Sequence, residues 1–171
     1  MAAADDWSRA FAKQARADMN ARDVLLADAA LPPCQQLHFL QMACEKMCKA
    51  HLCASGSSPG DVQSSHGYIA TVLPVIFRIQ FQQAFSRELK KRAWLLQIAR
   101  HLAREINFLS PAVDDGGGRP DNCEYPWEDG GKVIVPAERG FTNLNFLKGQ
   151  TGMLFIKLVD TAIDELCTPP P

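Results

Sequence analysis

Four successive stretches between residues 5 and 109 repeat their apolar side chains every three to four positions, a period that confines this part of the chain to helices packed on helices. In the first, residues 5–30, the repeat runs through Trp7, Phe11, Ala15, Met19, Leu25 and Leu26. Asp5 and Asp6 suit its start, and Pro32-Pro33 ends it. The second, residues 34–53, places Leu37, Leu40, Cys44, Met47, Cys48 and His51 on one face and His38, Glu45, Lys46 and Lys49 on the other. Residues 54–60 read as a loop from their Ser, Gly and Pro content. Ser64 and Ser65 are positioned to cap a third helix over 66–77, which Pro74 is expected to kink or divide. The fourth and longest spans 80–109, with Phe81, Phe85, Leu89, Leu96, Ala99, Ala103 and Ile106 in one stripe.

Residues 110–136 have a different texture, rich in Gly, Pro, Asp and Asn, and read as a long loop with a short strand over 132–135. Tyr125 and Trp127 suggest that this loop docks on the body as a lid, because large aromatic rings are costly to leave in water. In the segment 137–171, a last helix over 151–166 turns Leu154, Leu158, Ala162 and Leu166 to the core, and the final prolines fray. The expected fold is mainly α: one domain over 1–171, with a helical bundle over 1–109, an irregular loop and a C-terminal helix.

A domain of 171 residues buries about 70% of the surface its unfolded chain exposes, enough for a core without cross-links. Its net charge of −1 offers no global attraction to nucleic acid or membrane, so any such attraction must be local. The N-terminal residues lack the pattern of a secretory leader. No apolar run reaches the roughly 20 residues that a membrane span needs. Six cysteines are too sparse for a disulfide scaffold and fit reduced thiols in the cytoplasm.

The run Gln41-x-x-x-Glu45-Lys46-x-x-Lys49-Ala50, within residues 36–52, resembles the second helix of HEPN domains. Trp7, Ala10, Asp18 and Leu25 resemble that family's first helix, and His66, Ile69 and Leu73 the start of its third. The match covers residues 7–73. The resemblance implies an antiparallel helical bundle that dimerises and contacts RNA or a nucleotide, often within toxin–antitoxin or defence systems. Family members that cleave RNA carry an Arg followed by four to six residues and a His on the last bundle helix. Here the nearest pair, Arg92 and His101, has eight residues between its members, which on a straight helix sets them about 180° apart.

Arg87, Lys90, Lys91, His101 and Arg104 fall within an arc of about 140° on the fourth helix, a basic face suited to phosphates. Arg92 projects into the apolar stripe, where Glu88 can pair with it one turn away. Tyr125 and Trp127 are candidates for base stacking if they do not serve as the lid. A ribonuclease would need His101 as general acid or base, with Arg92 or Arg104 stabilising phosphorane charge. Cys44, Cys48 and His51, with Cys123 as a fourth ligand, have the wrong spacing for structural zinc, and cysteines on an apolar helix face ordinarily pack as small hydrophobes. The expectation is a binding protein for RNA, a nucleotide or a partner protein, with no cofactor and no metal. Its rivals are a metal-independent endoribonuclease and a helical interaction module.

Overall fold

A computed structural model describes residues 3–84, 93–113 and 121–168, and it is mainly helical. Helices α1 (Ala4–Leu26) and α2 (Pro33–Ala54) form a hairpin closed over residues 27–32, with the most extensive helix contact in the fold. The buried residues of α1 are mostly small: Ser8, Ala12 and Ala15, followed by Asp18 and Met19. Small side chains allow α2 to approach closely, and Ala43 and Ala50 are fully buried there. The first helix stops at Leu26, short of residue 30, and Leu26 is exposed.

Three expectations for the middle of the chain need correction. Pro59 and Gly60, assigned to a loop, open a short helix α3 (Pro59–Ser64), with Pro in the first turn where its missing N–H costs nothing. Ser64 does not cap the next helix, because its hydroxyl bonds back to the Gly60 and Asp61 carbonyls at 3.1 and 3.2 Å. The boundary expected near residues 78–80 does not exist either. Helix α4 (Ile69–Ala84) runs through it, and α5 (Ala93–Asn107) follows. Pro74 lies inside α4 without dividing it. Ile69, Leu73, Ile76, Phe77 and Phe81 bury one continuous face around that proline, which offsets its missing hydrogen bond. Leu95, Ala99, Leu102, Ala103 and Ile106 of α5 face the same core. Phe85, Arg87, Glu88, Leu89, Lys90, Lys91 and Arg92 lie outside the described residues.

The stretch after α5 is tied down rather than structureless. The Cys123 amide donates to the Leu109 carbonyl at 3.1 Å, and Asn122 Oδ1 accepts from the Glu124 and Tyr125 amides. Strands β1 (Trp127–Asp129) and β2 (Lys132–Ile134) pair antiparallel in the register Trp127 to Ile134. Gly130 and Gly131, at φ +57° and +76°, supply the left-handed turn that a two-residue hairpin demands. Trp127 is buried and Tyr125 is exposed, so only the first docks. Two 3₁₀ segments (Pro136–Glu138 and Thr142–Lys148) lead into α6 (Gln150–Cys167).

Helix α6 packs on α1, α2 and α4, and its core face is Phe155, Val159, Ala162 and Ile163. Leu154, Leu158 and Leu166, expected as the core stripe, border it half-buried. The observed stripe is offset by one position because α6 wedges between neighbours on two sides. Phe155 meets Phe77 edge to face at 5.0 Å. Arg16 links α1 to α6, donating to Asp160 Oδ1 at 2.6 Å, the Asp160 carbonyl at 2.9 Å and Asp164 Oδ1 at 2.7 Å.

Glu45 and Lys49, placed by the helical wheel on a solvent face, are buried, because α2 has helices on several sides. Glu45 Oε1 lies 2.9 Å from Lys49 Nζ and 3.0 Å from His66 Nδ1, and Gln41 Nε2 donates to Oε2 at 3.0 Å. Burial pushes the Glu45 carboxyl up, but Lys49, Gln41 and His66 outweigh it and hold the carboxyl below its usual range.

Glu45→Ala strands Lys49 as an unpaired buried charge and should cost about 3–5 kcal/mol in urea unfolding, whereas Glu45→Leu with Lys49→Met should recover most of that loss. A folded-state pKa below the unfolded value stabilises the protein above about pH 4.3 and ceases to as pH falls through the folded value. Wild-type stability should therefore fall on acidification below about pH 4.3, and the double variant should lose less over the same range.

Candidate functional site

The core face of α5 dictates what it shows to solvent. With Leu95, Ala99, Leu102, Ala103 and Ile106 turned inward, Trp94, Gln97, Arg100, His101 and Arg104 are exposed. Trp94, Gln97, His101, Arg104 and Phe108 recur at three- and four-residue steps, so they share one stripe. Arg104 holds its guanidinium carbon 6.0 Å from the Phe108 ring centroid. His101 meets Phe146, from the second 3₁₀ segment, edge to face at 6.3 Å. Phe146 is exposed and anchored from behind, because Asn143 in the same segment donates to Glu105. No carboxylate among the described residues pairs with Arg100, His101 or Arg104.

The stripe thus sets His101 and Arg104 between the aromatic side chains of Trp94 and Phe108. Of the expected basic face, the structure brings together His101 and Arg104, one turn apart. Arg87, Lys90, Lys91 and Arg92 fall outside the described residues. Trp94, Arg100 and Phe146 were not singled out from sequence. The spacing of Trp94 from His101 carried the signal, whereas the approach of Phe146, 45 positions further on, had none.

Trp127 does not present a stacking face. It is buried, with the Arg139 guanidinium carbon 5.5 Å from its ring centroid, and acts as the lid anchor. Tyr125 is exposed.

The thiol constellation separates. Burial pushes Cys44 up to about 12, Cys48 well above its usual value and Cys123 up to about 12. Cys123 Sγ donates to the Leu109 carbonyl at 3.3 Å, and burial lowers His51. These groups do not converge, and no three potential ligands meet at one point among the described residues. No helix among them is long and apolar enough to cross a membrane.

A second feature was invisible in the sequence. A cavity of about 640 Å³ opens between the end of α1, the start of α2, the second 3₁₀ segment and the start of α6. Leu37, Leu40, Leu144 and Ile156 form apolar walls; Gln36, Thr142 and Asn145 contribute neutral polar groups. Arg22 and Lys148 are its charged lining residues. Gly152 holds the 3₁₀ segment against α6. A Cβ there would stand 2.3 Å from Leu147 Cα and the Phe146 carbonyl, so only glycine permits the approach.

Compared with family models, with curated proteins and with solved structures, the chain matches none.

The burial pattern sets thiol reactivity. Cys167, half-buried, should be the one thiol that a chromogenic disulfide labels in the native protein at pH 8. All six should react in denaturant, and rapid native labelling of Cys44 or Cys48 would contradict the packing of α2.

Proposed function

We propose that this chain is a HEPN-like helical module that binds single-stranded RNA through the exposed stripe of α5, without catalysing its cleavage. The observation that carries the proposal is the stripe itself. Arg100 and Arg104 stand in solvent with no carboxylate partner among the described residues, on the helix that also exposes Trp94 and sets His101 against the exposed Phe146 ring. Unneutralised cations displace counterions from phosphates, which supplies affinity without sequence preference. Exposed aromatic rings stack on bases, worth about 1–3 kcal/mol per base, and single strands present those base faces freely. A chain of net charge −1 that clusters cations on one helix face fits local rather than global attraction to a polyanion. The family resemblance extends the proposal to a cytoplasmic dimer of a toxin–antitoxin or defence system. It also supports RNA over a partner protein as the ligand of this face.

Fluorescence anisotropy with a labelled single-stranded RNA of about 15 nucleotides, titrated between 50 and 200 mM salt, tests the proposal. Affinity should fall linearly on a double-logarithmic plot. Arg100→Ala with Arg104→Ala should flatten the slope by about 1.4, at about 0.7 per lost phosphate contact. Trp94→Ala should weaken binding about 5- to 150-fold with the slope unchanged, the loss expected when one base is no longer stacked. Absence of salt-dependent binding would overturn the proposal. RNA cleavage in EDTA that disappears in His101→Ala would replace it with the endoribonuclease reading.

A further inference from the structure

The cavity between the α1–α2 hairpin and the start of α6 takes none of its lining from α5, and that lining has a definite chemistry. We propose that it binds an amphipathic monoanion: an unbranched aliphatic chain of about ten to fourteen carbons ending in a carboxylate. Three observations carry this.

Size is the first. At about 640 Å³ the cavity falls within the roughly 300–1,000 Å³ of small-molecule sites. It has room for roughly twenty water-sized groups at about 30 Å³ each, enough for such a chain and its head group.

Charge is the second. Arg22 and Lys148 line the cavity, and no Asp or Glu does. The Arg22 side chain is only 12% exposed. Its Nη1 donates to Asp23 Oδ1 at 2.7 Å, and Asp23 is itself well exposed. One arm of the guanidinium is therefore engaged by Asp23, and the remaining donors of its planar fork have no carboxylate partner among the described residues and suit a second carboxylate. Lys148 has no carboxylate partner among the described residues, and its flexible stem can bring the ammonium to the same head group.

Wall character is the third. Leu26 and Met153 line the cavity and are 51% and 60% exposed, so large apolar side chains at its mouth face solvent. An aliphatic tail would cover both, and the unbranched thioether of Met153 adapts to a flexible chain. A nucleotide fits less well, because its base would need edge partners and a ring to stack on, and the one aromatic lining residue, Phe141, is itself buried. Gln36, Thr142 and Asn145 supply neutral donors for carboxylate oxygens that Arg22 leaves unpaired.

The test is calorimetric titration of the full chain with dodecanoate below its micelle concentration, alongside dodecanol and adenosine monophosphate. Dodecanoate should bind one per chain, raise the melting temperature and show a negative heat-capacity change. Dodecanol, lacking the charge, should bind at least tenfold more weakly. Lys148→Met should weaken dodecanoate several-fold while leaving dodecanol unchanged, a readout that a merely structural lysine would not give. Met153→Trp, at an exposed position, should fill the mouth and abolish binding of both with the helical circular dichroism intact. Equal affinity for acid and alcohol, indifference to Met153→Trp, preference for the nucleotide or no saturable binding would each overturn the proposal.

Discussion

Helix α2 is buried on more than one side while carrying Glu45, Lys46 and Lys49 along its middle, and the remaining packing follows from how those charges are neutralised. A carboxylate and an ammonium taken out of water each cost several kcal/mol unless paired and hydrogen-bonded. Lys46 resolves its charge against Asp18 at 2.6 Å, which brings a buried acidic residue of α1 onto α2. Glu45 and Lys49 neutralise each other within α2. The residual hydrogen-bonding capacity of Glu45 then draws His66 in from beyond α3, and Lys49 Nζ reaches the Gln63 carbonyl at 3.4 Å. The same pairs that remove charge from the core also decide which neighbours α2 accepts and in what register.

The apolar repeat made the mainly helical fold legible, and it located α1, α2 and α6 to within a few residues. What failed were inferences needing knowledge of how many sides of a helix are covered. A wheel that divides α2 into an apolar and a charged face assumes one partner, so it sends Glu45 and Lys49 to solvent. For α6 it selects the Leu154, Leu158 stripe, although Phe155 and Val159 are the residues enclosed. Pro74 does not divide α4, for a related reason. A single proline weakens a helix by a few kcal/mol, and the buried face on either side of it is large enough to override that local preference. The β-hairpin was half visible: Lys132 to Ile134 reads as a strand from its β-branched Val133 and Ile134, whereas its equally short partner Trp127 to Asp129 carries two acidic residues that are depleted in strands. The Gly130-Gly131 pair was the stronger signal.

The candidate sites divide along the same line. A surface carried by one helix is readable from spacing alone, as His101 and Arg104 show. The cavity joins Arg22, Gln36, Lys148 and Ile156, residues separated by up to 134 positions in the chain, and no local pattern announces such a meeting.

The two sites also share a wall. The 3₁₀ segment Thr142–Lys148 sends Phe146 to His101 on α5 and turns Leu144, Leu147 and Lys148 to the cavity. Asn143, bonded to Glu105, fastens its first half, and the close approach of Gly152 fastens its second. One seven-residue segment therefore carries side chains of both sites. A ligand that displaces Lys148 or Leu147 acts on the same stretch of backbone that carries Phe146. Any resulting coupling between cavity and stripe is reciprocal, since each ligand changes the other's affinity by the same factor.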